Sequence, residues 1–279
     1  MKYKIVSDSS SNLFALEQVE YANVPLKIIT DEKEYVDEPG LDIPQMIEEL
    51  IRTKSKSGTS CPNAHEWKEA FGDADAVFAT TITGTLSGSY AAAMQAREEY
   101  IEEHEGAKVC IIDSKSAGPE LQLLMEKMRE GILREESFEQ IEDVVREYHK
   151  HTHLLFALQS LTNLSRNGRV NPAVAAAAGI LGICIVGKAS AEGTLEPMHK
   201  CRGERKALDT IVKEMKKEGY AGGKVRIAHC LNVKAAETLK EKILQDFPNG
   251  NVEILDCTGL CSFYAEKDGL MIGYEDANA

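Results

Sequence analysis

Hydroxyl side chains gather in four short segments of this sequence. The first is Ser7-Asp8-Ser9-Ser10-Ser11-Asn12 and the second is Gly58-Thr59-Ser60-Cys61-Pro62-Asn63. The third runs from Thr80 to Ser89 and contains Thr83, Thr85 and Ser87; the fourth is Asp113-Ser114-Lys115-Ser116-Ala117-Gly118. Neutral hydroxyls beside the unpaired N–H groups of a helix start suit the binding of an anion. In the second segment, Asn63 and Glu66 have the spacing of a capping box, with Pro62 and Trp67 at the staple positions, which predicts a helix start there. In the third, Ser87 is a good cap for a helix beginning near Gly88, and Gly84 and Gly88 let the backbone approach a ligand closely. Lys and Arg are absent from the second segment after Lys56 and from the third altogether. A phosphate-rich ligand usually recruits such cations, whereas a single carboxylate does not need them. The same residue types serve any ordinary turn, and it is the four segments together that point to a site.

These segments need a frame that brings them together. Short β-type runs appear at Lys4–Ser7, Val24–Ile29, Ala76–Thr80, Lys108–Ile112, His153–Ala157, Ile183–Val186, Lys224–Ala228, Asn251–Leu255 and Leu270–Tyr274. Apolar stripes at helical spacing lie between several of them, as at Ile43, Met46, Ile47, Leu50 and Ile51 and at Leu121, Leu124, Met125 and Met128. Further helices read at Phe138–Lys150, Gly203–Glu218 and Val233–Asp246. Alternation of this kind predicts an α/β architecture with mainly parallel sheets. In an open parallel sheet, ligands bind beyond the carboxyl ends of the strands. Three of the hydroxyl segments follow strands there, so one edge would collect them. The polar stretch His149–His153 suggests a boundary between two α/β domains. The first, residues 1–152, carries the hydroxyl turns; the second is 153–279, with a last segment that can return to the first.

Bulk composition removes several function classes. The 279 residues carry a formal net charge of −13, which argues against a nucleic-acid or anionic-membrane surface. The N-terminus runs straight into a strand with no apolar signal core. The weakly polar run Ala173–Val186 falls short of the ~20 residues that a bilayer span needs; its expected place is a buried helix and strand, or a wall of an apolar pocket. Transient membrane contact stays open. Seven cysteines, mostly in apolar contexts, read as buried thiols, which places the chain in the cytoplasm. Cys257 and Cys261 lack a second Cys/His pair, and His149, His151 and His153 lack accompanying thiols or carboxylates, so no metal site is expected. Arg166 and Arg169 flank the turn dipeptide Asn167-Gly168 and display positive charge on an acidic protein.

Five motifs in order resemble the DegV family over nearly the whole chain. They are Asp8-Ser9-Ser10-Ser11, Thr59-Ser60-Cys61-Pro62, Leu86-Ser87-Gly88-Ser89-Tyr90, Asp113-Ser114-Lys115-Ser116, and Leu161 to Val170, read Leu-Thr-Asn-Leu-Ser-Arg-Asn-Gly-Arg-Val. The resemblance implies two α/β domains enclosing a long-chain fatty acid, with no other cofactor, and presentation of the bound acyl group to a fatty acid kinase. Carried over, Thr59 with Ser60 holds the carboxylate, and Thr83, Thr85 or Ser87 supplies a second hydroxyl. The stretch Asp256-Cys257-Thr258-Gly259 matches the family's Thr-His-Thr-Gly, which places Cys257 and Thr258 at the head group, with Cys257 where the family has histidine. Cys61 stands where the family often has Gln. Arg169 matches an arginine associated with partner docking or acyl-phosphate handling.

Three function classes follow. The first is a lipid-binding carrier without catalysis of its own. The second is a hydrolase with Ser87 as nucleophile, although Gly84-Thr85-Leu86-Ser87-Gly88 lacks the Gly-x-Ser-x-Gly elbow. The third is an anion- or sugar-binding regulatory module that uses the same turns. The carrier is the expectation.

Overall fold

The computed structural model describes residues 1–52, 56–178 and 182–279. Its strands are β1 (Tyr3–Asp8), β2 (Glu20–Val24), β3 (Lys27–Thr30), β4 (Glu34–Val36), β5 (Ser57–Ser60), β6 (Ala76–Thr81), β7 (Lys108–Asp113), β8 (Thr152–Leu158), β9 (Ile183–Ala189), β10 (Leu195–Arg202), β11 (Lys224–His229), β12 (Asn251–Asp256) and β13 (Leu270–Glu275). Its helices are α1 (Ile43–Arg52), α2 (Ala64–Phe71), α3 (Ser89–Glu103), α4 (Pro119–Leu133), α5 (Phe138–Tyr148), α6 (Thr162–Arg166), α7 (Pro172–Ala178), α8 (Glu204–Lys217), α9 (Val233–Asp246) and α10 (Gly259–Ala265).

The α/β class is as the alternation predicts. A four-stranded sheet in the order β2-β1-β6-β7 is parallel throughout. The six-stranded sheet, β10-β9-β8-β13-β11-β12, differs from the parallel expectation. Its neighbours run antiparallel except for β11 and β12, which are joined through helix α9. The physical reason is local: β9 and β10 form a hairpin over Ser190–Thr194, and β13, entered from α10, runs between β8 and β11 in the direction opposite to both. A third sheet, β4-β3-β5, is small and antiparallel.

The run Val24–Ile29, which reads as one strand, is divided. Pro25 lies between β2 and β3 and has no N–H for a ladder, and the two strands join different sheets. Two further strands carry no usable apolar alternation. In β5, Ser-Gly-Thr-Ser pairs with β3, so that Thr59 faces Ile28 across the ladder. In β10, an edge strand, the register shifts between Pro197 and His199.

Strand β8 shows how the six-stranded sheet serves two cores. Leu155 and Ala157 point to the core under α8 and α9, while Leu154, Phe156 and Leu158 point the other way. This is the period-2 alternation of a strand with both faces covered, so its sequence is a continuous apolar run. The second face looks toward the four-stranded and three-stranded sheets. Helix α4 packs against both large sheets, and ten of its fifteen residues are buried. Its Glu126 accepts from Arg226 of β11 at 2.7 and 2.8 Å, a buried bidentate pair.

That pair joins elements a hundred residues apart and sets a test. Glu126→Ala leaves the Arg226 guanidinium buried without its main partner, which should destabilise the fold by about 3–5 kcal/mol. The nearby Lys224–Glu130 pair is half-exposed, and Glu130→Ala should cost no more than about 1 kcal/mol. Urea unfolding of the two variants measures the contrast; equal effects would mean that α4 is not anchored through Arg226.

Candidate functional site

A cavity of about 290 Å³ opens where β5, the β6–α3 turn and α10 meet the second face of β8 and β13. Leu154, Phe156 and Leu158 from β8 and Met271 from β13 form one wall. Leu26, Ile82 and Leu260 form another, and they pack together as a small apolar cluster with Tyr264 against it. Polar groups enter from Thr59, Ser60, Thr83, Ser87, Ser116, Arg169, Thr194 and Tyr264.

The hydroxyl segments divide into two roles. The first segment is internal. Asp8 is wholly buried, and its carboxylate accepts from Ser10 Oγ at 2.5 Å, Ser89 Oγ at 2.7 Å and Ile82 N at 2.9 Å. Burial pushes the Asp8 pKa up, against the opposing pull of these bonds. Ser9 Oγ accepts from Leu26 N at 3.0 Å, and Ser7 and Ser11 bond each other at 2.9 Å. This segment therefore holds β1, β6 and α3 together and presents no hydroxyl to the cavity. The fourth behaves similarly for the most part: Asp113 Oδ1 accepts from Gly84 N and Lys115 N, and only Ser116 and Ala117 reach the cavity.

The second segment provides Thr59 and Ser60, and both line the cavity. They lie on strand β5 rather than in a turn. The capping box read from Asn63 and Glu66 is present, with Glu66 N donating to Asn63 Oδ1 at 3.0 Å and Asn63 N to Glu66 at 2.7 Å. Thr59 Oγ1 lies 2.8 Å from the Tyr264 hydroxyl. In the third segment, α3 starts at Ser89, with Gly88 as the cap, one residue later than the cap reading of Ser87 requires. Ser87 Oγ accepts from Ser89 N at 3.3 Å and faces the cavity. Thr83 lines the cavity but donates to Gly193 O at 2.9 Å, and Thr85, outside the lining, donates to Glu192 O at 2.6 Å. The two threonines hold the tip of the β9–β10 hairpin. Gly193 has φ +82°, and a Cβ there would sit 2.2 Å from Thr83 Oγ1, so a side chain cannot be accommodated.

Cys257 and Thr258 are not in the cavity lining. Cys257 is buried in the core cluster that also holds Cys230 and Cys261, and burial drives its thiol pKa well up. The Thr258 hydroxyl lies within 3.1–3.2 Å of Ser9 O, Asn12 Oδ1 and Asp37 Oδ2. Cys257, carried over to the head group, therefore lies in that core cluster and not among the lining residues. The residue missed by sequence reasoning is Tyr264. Leu260 and Tyr264 stand at i, i+4 on α10 and share the face that meets the cavity, which was the available signal.

Arg169 reaches the same region. Its Nε donates to Leu86 O at 3.2 Å and its Nη1 to Asn167 O, so both bonds go to main-chain carbonyls. No carboxylate among the described residues pairs with it. Its positive charge pulls the Tyr264 phenol down, but burial is the larger effect and leaves that pKa raised. No histidine among the described residues lines the cavity, so Ser87 has no base beside it. From the run Ala173–Val186, Val174, Ala175 and Ile183 pack against the core cluster beside the cavity, and residues 179–181 lie outside the described residues. Among the described residues, no group of three or more His, Cys, Asp or Glu is placed to hold a metal ion, and no helix is long and apolar enough to cross a membrane.

A DegV family model, described as "Uncharacterised protein, DegV family", matches residues 2–276. The chain belongs to the DegV family. Among its relatives, the DegV domain-containing protein spr0652 of Streptococcus pneumoniae R6 is 40% identical over 99% of both chains. A DegV family protein from Eubacterium eligens, solved loaded with heptadecanoic acid, is 41% identical with a TM-score of 0.97, covering 98% of this chain and 99% of that one. The Streptococcus pneumoniae Fatty Acid Kinase (Fak) B3 protein, solved loaded with linoleic acid, is 40% identical with a TM-score of 0.97, covering 99% of each chain.

The thiols of this DegV chain test the description of the site. All seven are free and only Cys61, on the cavity rim, is exposed. Burial pushes the Cys110 and Cys184 thiols up to about 12 and Cys230 up to about 11, which leaves almost no thiolate at pH 8. A chromogenic disulfide reagent at pH 8 should therefore titrate one thiol rapidly in the native protein, and all seven after unfolding. Rapid native reaction of three or more would mean that the core around Cys257 is open.

Proposed function

We propose that the chain is a carrier of one long-chain fatty acid. The acyl chain lies in the cavity along Phe156, Leu158 and Met271, and the carboxylate sits at its polar end beside Thr59, Ser60 and Ser87. The observation that carries this reading is the composition of the cavity: apolar walls from three elements, and hydroxyls with one unneutralised guanidinium at one end. Burial of the chain contributes ~0.8 kcal/mol per CH₂, so the methylenes outweigh any single head-group bond. Association and ordering costs offset part of that gain. The fatty acids in the two relatives at 40–41% identity support the same chemistry here.

On this reading the protein has no catalytic step of its own. Its apolar walls suit neither a sugar nor a small inorganic anion, and among the described residues no imidazole lines the cavity to activate Ser87. Its molecular shape is that of two α/β lobes, residues 1–152 and 153–279, with α10 reaching back from the second lobe to the first. The name of the pneumococcal relative supports a fatty acid kinase as the partner that receives the bound acid. Arg169, beside Asn167 and Gly168, is then the cation that meets the partner or the phosphorylated head group.

Organic extraction of the purified protein followed by mass spectrometry should recover a fatty acid of about 14–18 carbons, a size that such a pocket can bury. Ala117→Phe, which places a ring in the cavity, should abolish fatty-acid binding with the thermal melting curve retained. A protein that carries no lipid and binds none when offered would overturn the assignment.

A further inference from the structure

We propose that Tyr264 positions the head group of the ligand by donating its phenolic proton to Thr59 Oγ1, which turns the Thr59 proton toward the bound carboxylate. This rests on the fatty-acid reading above and adds a residue that decides which head group is accepted.

The two hydroxyls are 2.8 Å apart at the polar end of the cavity, and both line it. A threonine hydroxyl has one proton and rotates freely. A bond received from Tyr264 occupies an acceptor position on Oγ1 and leaves that one proton for an outside acceptor. The phenol is the more acidic of the two hydroxyls and the better donor, and a hydroxyl that accepts a hydrogen bond becomes a stronger donor itself. Burial raises the Tyr264 pKa, so the phenol keeps its proton throughout the neutral range. The geometry is held from behind. Tyr264 is on α10, whose first N–H groups are bound by Asp37, and its ring sits edge-on against Phe263 at a centroid distance of 4.8 Å. Thr59 is held by the ladder between β5 and β3. The pair therefore presents one oriented donor, suited to an ionised carboxylate and of less use to an alcohol. Cys257, where the motif resemblance implies a histidine, lies in the core cluster and outside the lining.

The test is a double-mutant cycle of Tyr264→Phe and Thr59→Val, with Thr59→Ser as the variant that keeps the hydroxyl. Affinities for palmitate and for hexadecanol are measured at pH 8 on delipidated protein, with thermal melting for each variant. Each single variant should weaken palmitate binding about tenfold or more, equivalent to ~1.4 kcal/mol per factor of ten, and the double variant should be no weaker than the singles. Hexadecanol affinity should change little, and Thr59→Ser should bind palmitate nearly as the wild type does. Wild-type affinity in Tyr264→Phe, equal losses for acid and alcohol, or additive losses in the double variant would overturn the inference while leaving the carrier reading intact. A large loss in Tyr264→Phe beside a small one in Thr59→Val would also overturn it, because the phenol would then face the carboxylate itself. Wild-type protein that binds neither ligand would overturn the carrier reading and this inference with it.

Discussion

A single buried carboxylate determines where the cavity has its polar end. Asp37, fully buried after β4, accepts from Gly259 N at 2.6 Å, Leu260 N at 2.9 Å and the Thr258 hydroxyl at 3.2 Å. It thereby takes the N-terminus of α10, a helix from the end of the chain, and pins it against the small sheet that carries Thr59. Burial pushes the Asp37 pKa up, and the bonds it receives pull the other way. Gly259 is part of the same constraint, since a Cβ there would come within 2.8 Å of Asp37 Oδ1 and of Leu41. Without this clamp, Leu260 and Tyr264 would have no fixed relation to Thr59, Leu26 and Ile82. Asp8 has the same role for β1, β6 and the start of α3. The molecule's own carboxylates occupy these helix starts, and a few hydroxyls are left facing the cavity.

The rest of the site follows from where the two large sheets look at each other. The face of β8 that carries Leu154, Phe156 and Leu158 looks away from α8 and α9, which cover the opposite face. Residues of β3, β4 and α1 from the first half and of α6 and α10 from the second pack on it, while α4 is tied to β11 by the Arg226–Glu126 pair. The Ser190–Thr194 hairpin tip is held over one side by Thr83 and Thr85. The apolar cavity thus lies between segments that polar contacts fasten to one another, and no single element supplies its lining.

Much of this was legible in the sequence, and the failures have a common cause. Helix α9 has the limits read from its pattern, and the Asn63–Glu66 capping box is a local signal that the structure repeats. The family motifs placed Thr59, Ser60 and Ser87 together, and all three face the cavity. What could not be read depends on partners distant in the chain. Thr83 and Thr85 look like free hydroxyls until the β9–β10 hairpin, 110 and 107 residues later, supplies carbonyls for them. Thr258 is engaged by Ser9, Asn12 and Asp37, more than 200 residues earlier. Strand β5 has no apolar residue to betray it, and Pro25 divides a run whose composition alone suggests one strand. Tyr264 carries a helix-face signal, but only its pairing with Thr59, 205 residues away, gives that signal a meaning.

The most direct measurement is a crystal structure of the protein with palmitate. One carboxylate oxygen should lie about 2.5–2.7 Å from Thr59 Oγ1, the range of a hydroxyl bound to an anion, with the chain running past Phe156 and Met271. A carboxylate found beside Cys257, or an acyl chain outside the walls formed by β8 and β13, would contradict the account.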